Sequence, residues 1–226
     1  MANEKNVNIE VNLKSWDNGK FVGGVMANYT NQLWEASHFQ NNASNPARYS
    51  MSLIIAKKSP AFKVLQDAVI DAMTRAYGAD LWKAKYETFK NQSTKCFFSD
   101  SSVKSNASRY DEIVAKYGDC IVMTAYMYAN KVGSRPIGVF DRDGERILSA
   151  EFNKPAPGDF VNASFFIWVQ KDSATPGLRA QAHNIQYVAS ATVELANSGV
   201  DIAKGIEKIT MPEDDAFDSP AAESLM

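Results

Sequence analysis

The chain has little of the chemistry that metals and nucleophiles require. Two cysteines, Cys96 and Cys120, and two histidines, His38 and His183, stand in 226 residues. That is too few for a disulfide framework, and their separations match no zinc spacing. The cysteines read as reduced, buried thiols. A Ser-His-Asp triad is as poorly supplied. No phosphate loop, G-x-G-x-x-G, H-E-x-x-H or G-x-S-x-G occurs, so neither an enzyme nor a cofactor or metal is expected. No apolar run reaches 18 residues, and the opening Met-Ala-Asn-Glu-Lys holds no apolar segment. Both features predict a soluble protein of the cell interior without a membrane partner.

Net charge is scarce too, at -2, but its distribution is uneven. Residues 212–226 hold five of the 26 acidic residues and no Lys or Arg, which leaves 24 basic against 21 acidic side chains elsewhere. A body of about +3 therefore carries a tail of -5, and the tail's few core-forming residues predict disorder. The expected division is a domain over 1–211 and an acidic flexible tail over 212–226.

What the chain does have is alternation. Val7, Ile9, Val11 and Leu13 predict a first strand. Between Ser15 and Asn45 the periodicity fails, and part of that stretch is expected to be short strand. Arg48 to Lys58 forms the next strand, with Tyr49, Met51, Leu53 and Ile55 on one face. Ser59-Pro60 then starts a helix, a capping hydroxyl followed by proline at the first helical position. Its apolar residues recur at three and four spacing until Gly78, and a second helical piece spans Asp80 to Lys90. Residues 91–109 read as a polar loop and Tyr110 to Tyr117 as a short helix, so the helical insertion runs over about 60–117.

Cys120 to Lys131 is again a strand, with Val122, Thr124, Tyr126 and Tyr128 sharing a face. Ile137 to Phe140 and Glu145 to Leu148 flank the turn Asp141-Arg142-Asp143-Gly144, where aspartates serve turn geometry. In Asp159 to Lys171, Val161, Ala163, Phe165, Ile167 and Val169 form a core face. Phe160, Asn162, Ser164, Phe166, Trp168 and Gln170 form the other. A link holding Arg179 and His183 leads to a last strand, Asn184 to Leu195. This order predicts a mainly β fold, an OB-fold-like antiparallel five-stranded barrel with an inserted helix, with a β-sandwich as the alternative.

Binding of single-stranded nucleic acid needs exposed aromatic faces for bases and cations for phosphates. The outward faces of two strands offer Tyr126 and Tyr128, and Phe160, Phe166 and Trp168. Arg48, Lys57, Lys58, Lys131, Arg135, Lys154 and Lys171 lie near their ends. Each aromatic equally suits packing under a loop or helix, and a merely solvated charge is the favoured reading for each basic residue except Arg48.

The run Asn45-Pro46-Ala47-Arg48-Tyr49, then Leu53, then Lys57-Lys58-Ser59-Pro60 ahead of a helix, resembles a segment of the replicative single-stranded DNA-binding proteins of tailed bacteriophages. The Gly158 strand, the Gly177 turn and Val193-Glu194-Leu195 before an acidic tail resemble that family's closing part. The resemblance implies an OB-fold and sequence-independent coating of single-stranded DNA during phage replication, recombination and repair, in the cytoplasm of an infected bacterium. It also implies an acidic tail that engages replication proteins such as a polymerase or helicase, and the opposed charges of tail and body predict that the tail competes with DNA for the groove. Arg48 and Lys58 match basic positions of the family. Asn162 and Ser164 depart from it, standing where members can carry lysine.

The expected DNA contacts are thus Arg48, Lys57, Lys58, Tyr126, Tyr128, Lys131, Arg135, Phe166, Trp168 and Lys171. The expected partner contacts are Glu213, Asp214, Asp215, Phe217 and Asp218 of the tail, although Phe217 lies short of the terminus where the family places an aromatic. A homodimer is among the states the sequence allows. The rival readings are a virion or assembly β-protein without nucleic-acid binding and, second, an unrecognised hydrolase.

Overall fold

A computed structural model describes residues 8–38, 42–90, 92–100, 118–129, 136–150, 154–171 and 174–190. In chain order its strands are β1 (Ile9–Leu13), β2 (Trp16–Asp17), β3 (Lys20–Phe21), β4 (Val25–Ala27), β5 (Ser37–His38), β6 (Ala47–Ala56), β7 (Phe98–Asp100), β8 (Cys120–Tyr128), β9 (Gly138–Phe140), β10 (Phe160–Gln170) and β11 (Gly177–Ala189). The helices are α1 (Asn31–Trp34), α2 (Pro60–Tyr77) and α3 (Trp82–Phe89). The short strands expected between Ser15 and Asn45 are thereby present.

The pairings close a ring, β10–β4–β6–β8–β11 and back to β10, with β1 extending β4's side along β10. This is the OB-like order. Two junctions depart from the antiparallel expectation: β9 runs parallel to β11, and within the ring β8 meets β11 in parallel, at the single register pair Tyr126 and Gln181. Below that pair the two strands separate, and residues 96–100 fill the gap. Phe98 pairs with Met123 on one side, and Cys96 bridges Leu178 on the other. This part of the expected helical insertion is therefore strand rather than polar loop, because the seam needs backbone partners on both sides.

Inside the ring lie Leu13, Leu53, Met123, Phe165 and Ile167, all fully buried. Helix α2 packs against β1, β6 and β10 with Leu65, Val69, Ala72 and Met73. Its start follows the sequence: Ser59 Oγ accepts from the Phe62 N–H at 3.2 Å, and Gly78 caps its end at φ 82°. Gly24, at φ +89°, is required beside this start, since a Cβ there would lie 2.3 Å from Ser59 Cβ.

A second apolar cluster sits outside the ring. Met26, Ile54, Val122, Phe160 and Val188 are roofed by Trp16 and Phe21 of the β2–β3 hairpin. Phe21 meets Phe160 edge-on at 5.0 Å. Phe160, expected on an open aromatic face, is therefore 3% exposed and belongs to this core.

Three further expectations change. The last strand begins at Gly177 rather than Asn184, so Arg179 and His183 lie on β11 and not in a link. Two register shifts against β10 explain the disguise: the first falls at His183 and the second at Val188, so Val188 rather than Tyr187 is buried, in the second cluster. Of the predicted strand Glu145 to Leu148, one bridge forms, Phe140 to Arg146. Asp141 has the turn role expected, its Oδ1 accepting from the Glu145 N–H at 2.8 Å. The strand expected to reach Lys131 ends at Tyr128. The helix expected over Tyr110 to Tyr117, and the boundary at 211–212, lie outside the described residues.

Candidate nucleic-acid interface

The outer surface of the β6–β8 pair divides along its length. Toward Ala56, Ile54 and Val122 lie under the second cluster. Toward Ala47 the outward side chains are polar or aromatic: Arg48, Ser50 and Ser52 on β6, and Thr124, Tyr126 and Tyr128 on β8. Arg48 stands opposite Tyr128 and Ser50 opposite Tyr126. The Arg48 guanidinium lies over the Tyr126 ring, 3.7 Å from its centre, a cation–π contact. Tyr128 is 43% exposed.

Residues 28–38, which contain α1 and β5, fold over this face and bound a cleft of about 460 Å³. Tyr29, Gln32 and His38 form its outer wall and Arg48, Ser50 and Tyr126 its floor. The Ser50 hydroxyl donates to Gln32 Oε1, Asn28 Nδ2 donates to Ser52 Oγ at 3.1 Å, and His38 Nδ1 lies 2.6 Å from the Asn45 carbonyl. Sequence reasoning missed this wall, because the Ser15 to Asn45 stretch shows no periodicity and Tyr29 passes there for a core anchor.

The register carries the face across the seam. Tyr126 pairs with Gln181, and Gln181 pairs with Phe166, so these residues form one row at strand spacings of about 4.8 Å. The Phe166 ring lies 5.7 Å from that of His183. Trp168 stands opposite Arg179, and Lys171 is exposed just beyond β10. Arg179 is a tie rather than an open cation. It donates to the Thr94 and Thr175 carbonyls at 2.6 Å and to Gln170 Oε1 at 3.1 Å, fastening the β10–β11 turn to the end of the helical insertion.

The expected cations do not all converge. Lys57 and Lys58 lie past the far end of β6, nine residues or about 30 Å from Arg48. Lys57 is occupied by Asp100 at 2.6 Å and Asp119 at 2.8 Å. Burial alone would lower its ammonium pKa, and hydrogen bonds and charge from the two aspartates outweigh that and raise it. Lys154 is likewise engaged, with Asp159 at 3.2 Å and Ser190 Oγ at 2.5 Å. Lys131, Arg135 and the tail residues Glu213, Asp214, Asp215, Phe217 and Asp218 lie outside the described residues.

Asn162 is structural in this chain. Its Oδ1 accepts from the Ser15 and Trp16 N–H groups at 2.9 and 3.0 Å, and its Nδ2 donates to Gln186 Oε1 at 3.2 Å. A lysine has no acceptor with which to close that corner.

Among the described residues no three His, Cys, Asp or Glu side chains are grouped to hold a metal, and no helix is long and apolar enough to cross a membrane.

No curated protein matches the chain. Among solved structures it is similar to the single-stranded DNA-binding protein of bacteriophage Enc34 with a C-terminal truncation, at TM-score 0.53 and 16% identity over 81% of this chain and 86% of that one. It is similar to the same protein in complex with single-stranded DNA, at TM-score 0.52 and 14% identity over the same shares. The T7 single-stranded DNA-binding protein gp2.5 aligns at TM-score 0.45 and 14% identity over 92% of this chain and 97% of that one. A sequence model of the single-stranded DNA-binding protein of Enterobacter phage Enc34 matches residues 20–200. The chain belongs to this family of phage single-stranded DNA-binding proteins, a family of binding proteins and not of enzymes.

Proposed function

We propose that the protein binds single-stranded DNA along the outer face of β6, β8, β11 and β10, coating and protecting the strand while a phage genome is replicated, recombined and repaired in the bacterial cytoplasm. The observation that carries this reading is the row Ser50–Tyr126–Gln181–Phe166 with Arg48 stacked on Tyr126. Flat rings placed between hydrogen-bonding side chains, with a cation at the edge, suit stacked bases and a tracked backbone. Tyr128 flanks the row on one side, opposite Arg48, and Trp168 and Lys171 flank it on the other. Lys131 and Arg135 follow β8 in sequence and are assigned to phosphate contact by that position.

The acidic tail completes the proposal. Its -5 charge is complementary to the body, so Glu213, Asp214, Asp215 and Asp218 compete with phosphates for the basic face. Once DNA displaces it, the tail meets replication proteins, with Phe217 as its apolar contact.

Titration with oligo-dT, followed by tryptophan fluorescence at a series of salt concentrations, tests the reading. Quenching and an affinity that falls steeply with salt are expected. No binding at low salt, even after removal of residues 212–226, overturns it in favour of a virion or assembly role.

A further inference from the structure

The cleft between α1, β5 and the β6–β8 face differs in kind from an open stacking platform. It is concave, and its one cation, Arg48, is laid over the Tyr126 ring. Its other lining groups are aromatic rings and neutral hydrogen-bonding side chains. Such a lining is poor for a phosphate, which calls for convergent cationic donors, and good for a base, which offers an aromatic face and a polar edge.

The hydrogen bonds already made define what the cleft has left. Ser50 donates to Gln32 Oε1, which leaves Gln32 Nε2 as a donor. The Asn45 carbonyl can only accept, so His38 Nδ1 carries the proton, and Nε2 of the neutral ring is an acceptor. Donor and acceptor line one cleft. Each of the four bases carries a neighbouring donor and acceptor on its Watson–Crick edge: N3–H and O4 in thymine, N4–H and N3 in cytosine, N1–H and O6 in guanine, N6–H and N1 in adenine.

We infer that this cleft is a subsite for one unpaired nucleobase of any identity, stacked between Tyr29 and the Arg48–Tyr126 pair and held by its Watson–Crick edge through Gln32 and His38. The inference rests on the proposed binding of single-stranded DNA and adds to it a source of strand selectivity. In a duplex the same edge is engaged in pairing, so the subsite accepts only a base that is free, and it does so without choosing a sequence.

The test compares the affinity of the full chain for oligo-dT and for the same oligonucleotide built from N3-methylthymidine, at pH 8 and one low salt concentration. Methylation keeps the stacking face and removes the N3–H donor. The wild-type chain is expected to bind the methylated strand about tenfold more weakly, the cost of one blocked buried hydrogen-bonding edge. His38→Phe is expected to weaken oligo-dT and narrow the gap to under about threefold, because His38 Nε2 is the acceptor for the N3–H that methylation removes. Equal wild-type affinity for both strands overturns the subsite while leaving DNA binding by stacking and charge intact. An undiminished gap in a folded His38→Phe protein also overturns it, since the edge is then read elsewhere. Failure of the wild-type chain to bind either strand removes the proposed function and the subsite with it. The ligand comparison needs no substitution, so it decides the matter even where the variant does not fold.

Discussion

Arg48 lies 3.7 Å above the ring of Tyr126 although the residue across from it in the ladder is Tyr128. The guanidinium thus reaches diagonally along β8 to the ring that begins the row toward Phe166. Two roles meet in one side chain, a phosphate-seeking charge and a flat surface continuous with an aromatic. Arg48→Ala is expected to weaken oligo-dT binding and to reduce the slope of log affinity against log salt by about 1. Arg48→Lys keeps the charge and loses the planar stack. Its salt slope should match wild type while affinity still falls. Equal affinity of all three proteins removes Arg48 from the interface.

Phe160 and Trp168 lie on the same nominal face of β10 and are expected to behave in opposite ways. Trp168→Ala should weaken binding by about 1–3 kcal/mol, the range for one lost base stack, with little change in melting temperature. Phe160→Ala opens a hole beneath Phe21 in the second cluster, and should lower unfolding free energy by about 3–5 kcal/mol while the folded fraction binds DNA normally. Trp168→Ala with unchanged affinity would return that residue to the core.

Lys57 tests whether a basic residue near the barrel belongs to the site. Lys57→Met is expected to leave the salt slope of DNA binding unchanged and to cost about 0.5–1 kcal/mol of stability, as for a partly exposed ion pair. Its raised pKa sets the pH dependence. The contribution is fully present below the unfolded value, near 10.4, and is lost as pH rises through the folded value. The stability difference between wild type and variant should therefore hold at pH 7 and shrink in alkali. A reduced salt slope would place Lys57 on the DNA after all.

Cys120 is fully buried, and burial, with the nearby Asp119 charge, pushes its thiol up to about 11. At pH 8 only about one thiol in a thousand is then ionised, and Cys96 is 4% exposed. Neither should react with a thiol reagent until the protein unfolds. Rapid labelling of the native protein contradicts this.

Removal of residues 212–226 should tighten oligo-dT binding several-fold at low salt, and the gain should vanish as salt screens the tail. Unchanged or weaker binding by the truncated protein contradicts tail competition.

Much of the barrel was legible in one dimension. The alternation in Cys120–Tyr128 and in Phe160–Gln170 identifies the core faces of β8 and β10, and Ser59-Pro60 marks the start of α2. These signals are local, since a strand repeats every two residues and a cap needs only the turn it begins. The last strand was less legible because its bulges at His183 and Val188 break that period. The candidate site was visible in part, as Arg48, Tyr126, Tyr128, Phe166 and Trp168 on outward faces.

What covers an outward face is another matter. Phe160 and Phe166 have the same parity on one strand, and only the β2–β3 hairpin, about 140 residues earlier in the chain, separates a core ring from an open one. Lys57 and Arg48 look alike in sequence until Asp100 and Asp119 arrive from elsewhere to hold one of them. The wall of Tyr29, Gln32 and His38 becomes a cleft only when it folds over β6. The sequence by itself determined the core faces of the long strands β6, β8 and β10, the cap, the charge division and the supply of stacking residues, because each arises among near neighbours. Tertiary structure alone decided which aromatics stay open, which cations are spent on carboxylates and where a base could enter, because each depends on contacts between segments that periodicity cannot relate.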